Sequence, residues 1–187
     1  MERKKLLISA CLLGAACRYD GKSVPLPPET IAALTEKYEL VPVCPEQLGG
    51  LPTPRESSER RGDAVVTSSG NDVTTQYARG AQQALYLAQQ LGCNSALLKE
   101  RSPSCGSGEI YDGTFSRTLI PGDGVTAALL KERGIHGGLS LAEETREMSG
   151  GVILRQGNIE SNCSISALLE AQRSELASPV AELLFGE

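Results

Sequence analysis

Three cysteines stand where a soft metal centre could be built. Cys11 follows the apolar run Leu6 to Ala10, Cys44 follows Leu40 to Val43, and Cys105 lies in the loop after Ser95 to Lys99. Each run reads as a buried parallel strand, and in an open parallel sheet ligands bind outside the carboxyl ends of the strands. Thiols far apart in sequence are therefore expected at one edge of one sheet. Three thiolates favour zinc or an iron–sulfur cluster, with Cys17 available as a fourth ligand. The chain has no paired C-x-x-C of the kind that marks a zinc ribbon, and its single histidine, His136, reads as a surface or packing residue.

Polar groups accompany the thiols. Glu46 lies two residues after Cys44, where a carboxylate could act as a general base, and Ser102 and Ser104 flank Pro103 beside Cys105. A solvated glutamate and two turn serines would look the same in sequence. Free cysteine is also an ordinary small core residue, and that is the reading for Cys93, at a helix end, and for Cys163.

The elements needed to position these residues alternate along the chain, as in an α/β domain. Pro28 suits the first turn of a helix carrying Ile31, Leu34 and Tyr38 on one face. Residues 45–71 form a long Pro-, Gly- and Ser-rich stretch, expected to be a functional or mobile loop. A helix capped by Asp72 carries Val73, Tyr77, Ala81, Ala84, Leu85, Ala88 and Leu91 at helical spacing and stops at Gly92. A hairpin or exposed loop is expected over Tyr111 to Phe115, and a helix capped by Asp123 over Val125 to Arg133. Further on, a helix over Leu141 to Met148, a short apolar run Val152 to Leu154 and a helix from Ile165 to Leu176 are expected. The sum is a Rossmann-like parallel sheet flanked by helices over residues 1–149, with a short C-terminal appendage over 150–187.

Composition narrows the classes. At 187 residues, with 40% hydrophobic and 22% charged residues, the chain is an ordinary globular one. A net charge of −5 and an aromatic share of 4% speak against duplex binding and against base stacking. No stretch reaches the roughly 18 apolar residues of a membrane span. The basic start, the apolar run and Cys17 imitate a lipoprotein signal, but Ser9, Cys11 and Gly14 interrupt it. A cytoplasmic protein with reduced thiols is the expectation.

Ser9-Ala-Cys-Leu-Leu-Gly14, Cys17-Arg-Tyr-Asp-Gly21, Cys44-Pro-Glu46 with Gly49-Gly-Leu-Pro-Thr-Pro-Arg55, and Lys99-Glu-Arg-Ser-Pro-Ser-Cys-Gly106 together resemble a bacterial family whose characterised members are thiouracil desulfidases. The likeness covers residues 4 to 138. It implies a [4Fe-4S] cluster held by three cysteines with one iron open, and conversion of a thiolated uracil to uracil and sulfide. Mapped by motif, the ligands would be Cys11, Cys44 and Cys105, with Cys17 also in a matching motif, and Glu46 and Ser102 would form the catalytic pair. Longer relatives carry an extra domain and act on thiolated tRNA; its absence here implies a small thiolated pyrimidine, as free base or nucleoside. An iron–sulfur or sulfur carrier would use the same cysteines without Glu46, and a zinc-dependent hydrolase would use them with Cys17 or water as fourth ligand.

Overall fold

The computed structural model describes residues 3–137, 151–156 and 159–164. The chain divides into two compact units, residues 1–140 and 141–187.

In the first unit, β1 (Lys4–Ser9) is central to a parallel sheet. It pairs on one side with β2 (Tyr38–Val43) and on the other with β5 (Ser95–Leu97), which pairs in turn with β8 (His136–Gly137). Both faces of β1 are covered. Leu7 joins Val43, Ala84, Leu85, Ala88, Cys93, Ala96, Leu130 and Ile135 in one core cluster. Leu6 and Ile8, pointing the other way, pack with Cys11, Leu12, Cys17 and Leu34. A strand buried on both faces carries a continuous apolar run, which is why Leu6-Leu-Ile8 does not alternate with polar residues. Pro42, unable to donate to a ladder, sits on the edge strand β2.

Helix α1 (Pro28–Lys37) buries Leu34, but Tyr38 is extended and opens β2 rather than continuing the helical face. Helix α3 (Thr74–Leu91) is the long element and buries Tyr77, Gly80, Ala81, Ala84, Leu85 and Ala88 at spacings of three and one. The Asp72 carboxylate accepts the Thr74 N–H at 2.8 Å, and Gly92 closes the helix in the left-handed conformation, φ 71°. Helix α4 (Val125–Glu132) starts at Gly124 and not from an Asp123 cap. The Asp123 side chain turns away to accept from Gly108 N–H at 2.8 Å and from Lys131 at 2.6 Å.

Residues 45–71 are more structured than their composition suggests. They contain the single-turn helix α2 (Pro45–Leu48) and a hairpin of β3 (Ser58–Arg61) and β4 (Ala64–Thr67). Beyond them, β6 (Glu109–Tyr111) and β7 (Leu119–Pro121) form a second hairpin, with its strands on either side of the expected turn region. In the second unit, β9 (Gly151–Gln156) pairs antiparallel with β10 (Ile159–Ser164), so the short apolar run is one strand of a hairpin and Cys163 lies on the other. The helices expected over Leu141 to Met148 and Ile165 to Leu176 lie outside the described residues.

Candidate active site

The register of the sheet brings the cysteine loops to one edge. Ser9 is opposite Val43, and Ile8 is opposite Leu97, so β1, β2 and β5 end nearly level and their following residues leave side by side. Cys11 lies in the 3-10 turn Ala10–Leu13 directly after β1, Cys44 at the start of α2, and Cys105 in the loop after β5. The Ser9 hydroxyl accepts the Lys99 N–H at 2.9 Å and ties the first loop to the third.

The thiols share one environment. Cys11, Cys17 and Cys105 are buried, and the Cys44 Sγ–H points to the Cys17 carbonyl at 3.7 Å. Burial, then the neighbouring Cys44, raises the Cys11 thiol above its ordinary value against the charges of Lys99 and Arg18. Burial and Cys44 push Cys17 to about 12. Burial also pushes Cys105 to about 12, aided by Glu46, Cys44 and Cys11 and opposed by a hydrogen bond from Ser9. Cys11, Cys17 and Cys105, each raised by burial and by the neighbouring Cys44, are thiols that a bound soft cation would deprotonate.

Glu46 is on the first turn of α2. Arg55 Nε donates to its Oε2 at 2.8 Å and Arg55 Nη2 donates to the same oxygen, while Ser102 Oγ–H faces Oε1 at 3.4 Å. Ser102 is itself held from the other side: its Oγ accepts the N–H groups of Ser104 and Cys105, each at 3.1 Å. One hydroxyl therefore joins the carboxylate to the backbone of a candidate ligand.

Two packing devices hold these loops. Helix α2 rides on α3 at a contact between Gly49 and Gly80. A Cβ on Gly80 would lie 2.0 Å from the Pro45 carbonyl oxygen, and one on Gly49 would lie 2.1 Å from that of Gln76. The Cys105 loop is clamped to the start of α4, where Val125 N–H donates to Pro103 at 2.9 Å and Thr126 and Ala127 N–H donate to Ser104 at 2.8 and 3.2 Å. The buried hydroxyls of Ser104 and Thr126 meet at 2.9 Å.

Cys93 lies in the core away from these loops, packed with Leu7, Ala88 and Ala96. His136 is on β8, opposite Ser95. Tyr77 and Arg55 belong to the site although sequence reasoning assigned neither a role. The Tyr77 phenol is raised by burial and next by the Glu46 charge, which ties it to the neighbourhood of the carboxylate. Its helical spacing marked it only as core. Arg55 ends one of the quoted motifs, which was the available signal.

A family model described as 2-thiouracil desulfurase matches residues 6–140. The chain belongs to the 2-thiouracil desulfurase family. Membership makes it an enzyme, as the resemblance of its motifs implied. The structure described as [4Fe-4S]-dependent thiouracil desulfidase TudS is 49% identical, with a TM-score of 0.69 over 72% of this chain and 89% of that one. The uncharacterized protein YbbK of Bacillus subtilis (strain 168) is 46% identical over 139 residues, which are 69% of this chain and 91% of YbbK. A separate short likeness, 43% over 56 residues, links 30% of this chain to 28% of a V-type ATP synthase component of Acetivibrio thermocellus. TudS shares the α/β fold with its parallel sheet, so the desulfurase family and the architecture agree. No helix among the described residues is long and apolar enough to cross a membrane.

Proposed function

We propose that this enzyme removes sulfur from a thiolated uracil without net redox change, using a [4Fe-4S] cluster held by Cys11, Cys44 and Cys105, with Glu46 and Ser102 handling protons. The observation that carries the reading is the Glu46 carboxylate. One of its oxygens is taken up by Arg55 and the other faces Ser102, beside a set of buried thiols. Support for the cofactor comes from the donor chemistry and from the cluster-dependent relative TudS. Thiolates are soft ligands, the donor type that iron–sulfur clusters take.

When bound, the cluster would supply a soft Lewis acid that polarises a thiocarbonyl and accepts sulfide. The chain does the rest. The three loops hold the thiolates at one sheet edge. Glu46 Oε1 takes a proton from the attacking water as sulfur leaves the ring carbon and oxygen replaces it. The Ser102 hydroxyl, fixed by two backbone N–H groups, orients that oxygen of the carboxylate and passes a proton onward. The substrate is a small thiolated pyrimidine handled in the cytosol, without duplex nucleic acid or membrane as partner.

Anaerobic purification with iron and sulfide analysis, followed by thiouracil turnover, tests the reading. Glu46→Gln should retain iron and lose about 100-fold to 10,000-fold in rate, the usual cost of a positioned acid or base. A colourless protein with stoichiometric zinc, or a full-iron Glu46→Gln enzyme turning over at the normal rate, would overturn it.

A further inference from the structure

Arg55 is almost wholly buried, with 6% of its side chain exposed, and the Glu46 side chain facing it is 15% exposed. A guanidinium has five N–H groups and no acceptor. All five find acceptors within the protein. Nε and one N–H of Nη2 go to Glu46 Oε2, and the second Nη2 N–H goes to the Cys17 carbonyl at 3.1 Å. The two on Nη1 go to the Pro52 carbonyl and to Thr53 Oγ1, each at 3.1 Å. Nothing is left over for a substrate. Thr53 Oγ1 is in turn held by Gln47 Nε2 at 3.0 Å, and the Arg55 backbone N–H is fixed to the Tyr19 carbonyl at 2.8 Å.

The asymmetry at the carboxylate matters. Both guanidinium contacts fall on Oε2, so the carboxylate is anchored through that oxygen and Oε1 is the one presented to Ser102. The Cys17 carbonyl that Arg55 grips is the same one to which Cys44 Sγ–H points. One side chain thus sets Glu46 relative to the loop that carries the thiols.

We propose that Arg55 is the positioning residue of this site, aiming Glu46 Oε1 at the reacting atoms while touching no substrate itself. The inference rests on the assignment of Glu46 as the proton-handling group. A lysine cannot replace it fully, because an ammonium lacks the planar fork that reaches Oε2, Cys17 and the Pro52-Thr53 turn together.

The test uses the iron-loaded enzyme and four variants: Arg55→Gln, Arg55→Lys, Glu46→Gln and the double variant. Arg55→Gln should keep its iron and lower kcat by about 10- to 100-fold, the scale of a misplaced reacting group, with little change in KM. Arg55→Lys should recover part of that loss. In the Glu46→Gln background, adding Arg55→Gln should change kcat by less than about twofold, because a residue acting only through another has nothing left to position. An equal fold loss in both backgrounds would overturn the inference by showing that Arg55 acts independently of Glu46. So would loss of iron in both Arg55 variants, or a normal kcat for Arg55→Gln beside an impaired Glu46→Gln. A Glu46→Gln enzyme at full rate removes the assignment beneath it, and the role of Arg55 falls with it.

Discussion

Tyr77 shows how a core residue and a site residue can be the same side chain. Its ring fills the space among Val65, Val73 and the flanking Leu51 and Val125, and its phenol stands near a carboxylate. Burial and Glu46 both favour the neutral phenol, so its folded pKa lies above the ordinary value of 10. The sign follows. The stabilisation is complete below about pH 10 and is lost as pH rises toward the folded value, by at most about 1.4 kcal/mol for each pH unit. Tyr77→Phe should flatten that alkaline decline, which denaturant midpoints taken at about pH 8 and about pH 11 would reveal. An unchanged decline would place its origin elsewhere. At this scale the placement of Cys11, Cys44 and Cys105 was legible, since each follows an apolar run that reads as a buried strand. Arg55 was not, because its grip on Glu46 exists only once the chain between them has folded back.

At the scale of elements, β1, β2 and β5 were legible as apolar runs and α3 from its period and the Gly92 stop, whereas the two-residue strand β8 was not. Residues 45–71 were not. Their Pro, Gly and Ser content suggested an open loop, yet α2 is a single turn, too short to stand by itself, and exists by leaning on α3. Asp123 misled for a related reason: it has capping chemistry one residue before Gly124, but Lys131 and Gly108 claim its carboxylate. Burial opposes its charged form, and these partners with Arg60 nonetheless hold it below the usual carboxylate range. The Gly49–Gly80 contact makes a specific demand on sequence. Gly80→Ala favours the helix by intrinsic propensity but drives a methyl into the Pro45 carbonyl. It should destabilise the protein by about 1–3 kcal/mol, as overpacking does, and reduce iron loading more than Gly92→Ala does. Thermal melts and iron analysis on the two variants give the comparison; equal iron loading in both would show that the crossing does not set the position of Cys44.

For the whole molecule, the family likeness ends where the first compact unit ends, at residue 140. That unit contains every residue proposed for cluster binding and catalysis. A chain ending at Ser140 should therefore bind iron and turn over thiouracil at a rate within about threefold of the full chain, since the family match and every proposed site residue lie within it. Loss of turnover with iron retained would give residues 141–187 a part in the reaction. The parallel-sheet architecture was legible across this unit because both faces of β1 had to be apolar, whereas the pairing of β9 with β10 was not, since Ile159–Ser164 carries too few apolar residues to announce a strand.

The clamp on α4 fills a seat that anions commonly take. Helix beginnings are common seats for phosphate because their first N–H groups lack partners. Here Val125, Thr126 and Ala127 have already given theirs to Pro103 and Ser104. The start of α4, although it adjoins the Cys105 loop, has no welcome for the 5′-phosphate of a nucleotide. A thiolated uridine monophosphate should accordingly gain nothing over the unphosphorylated base or nucleoside in kcat/KM, and competition among the three in one reaction would read the preference directly.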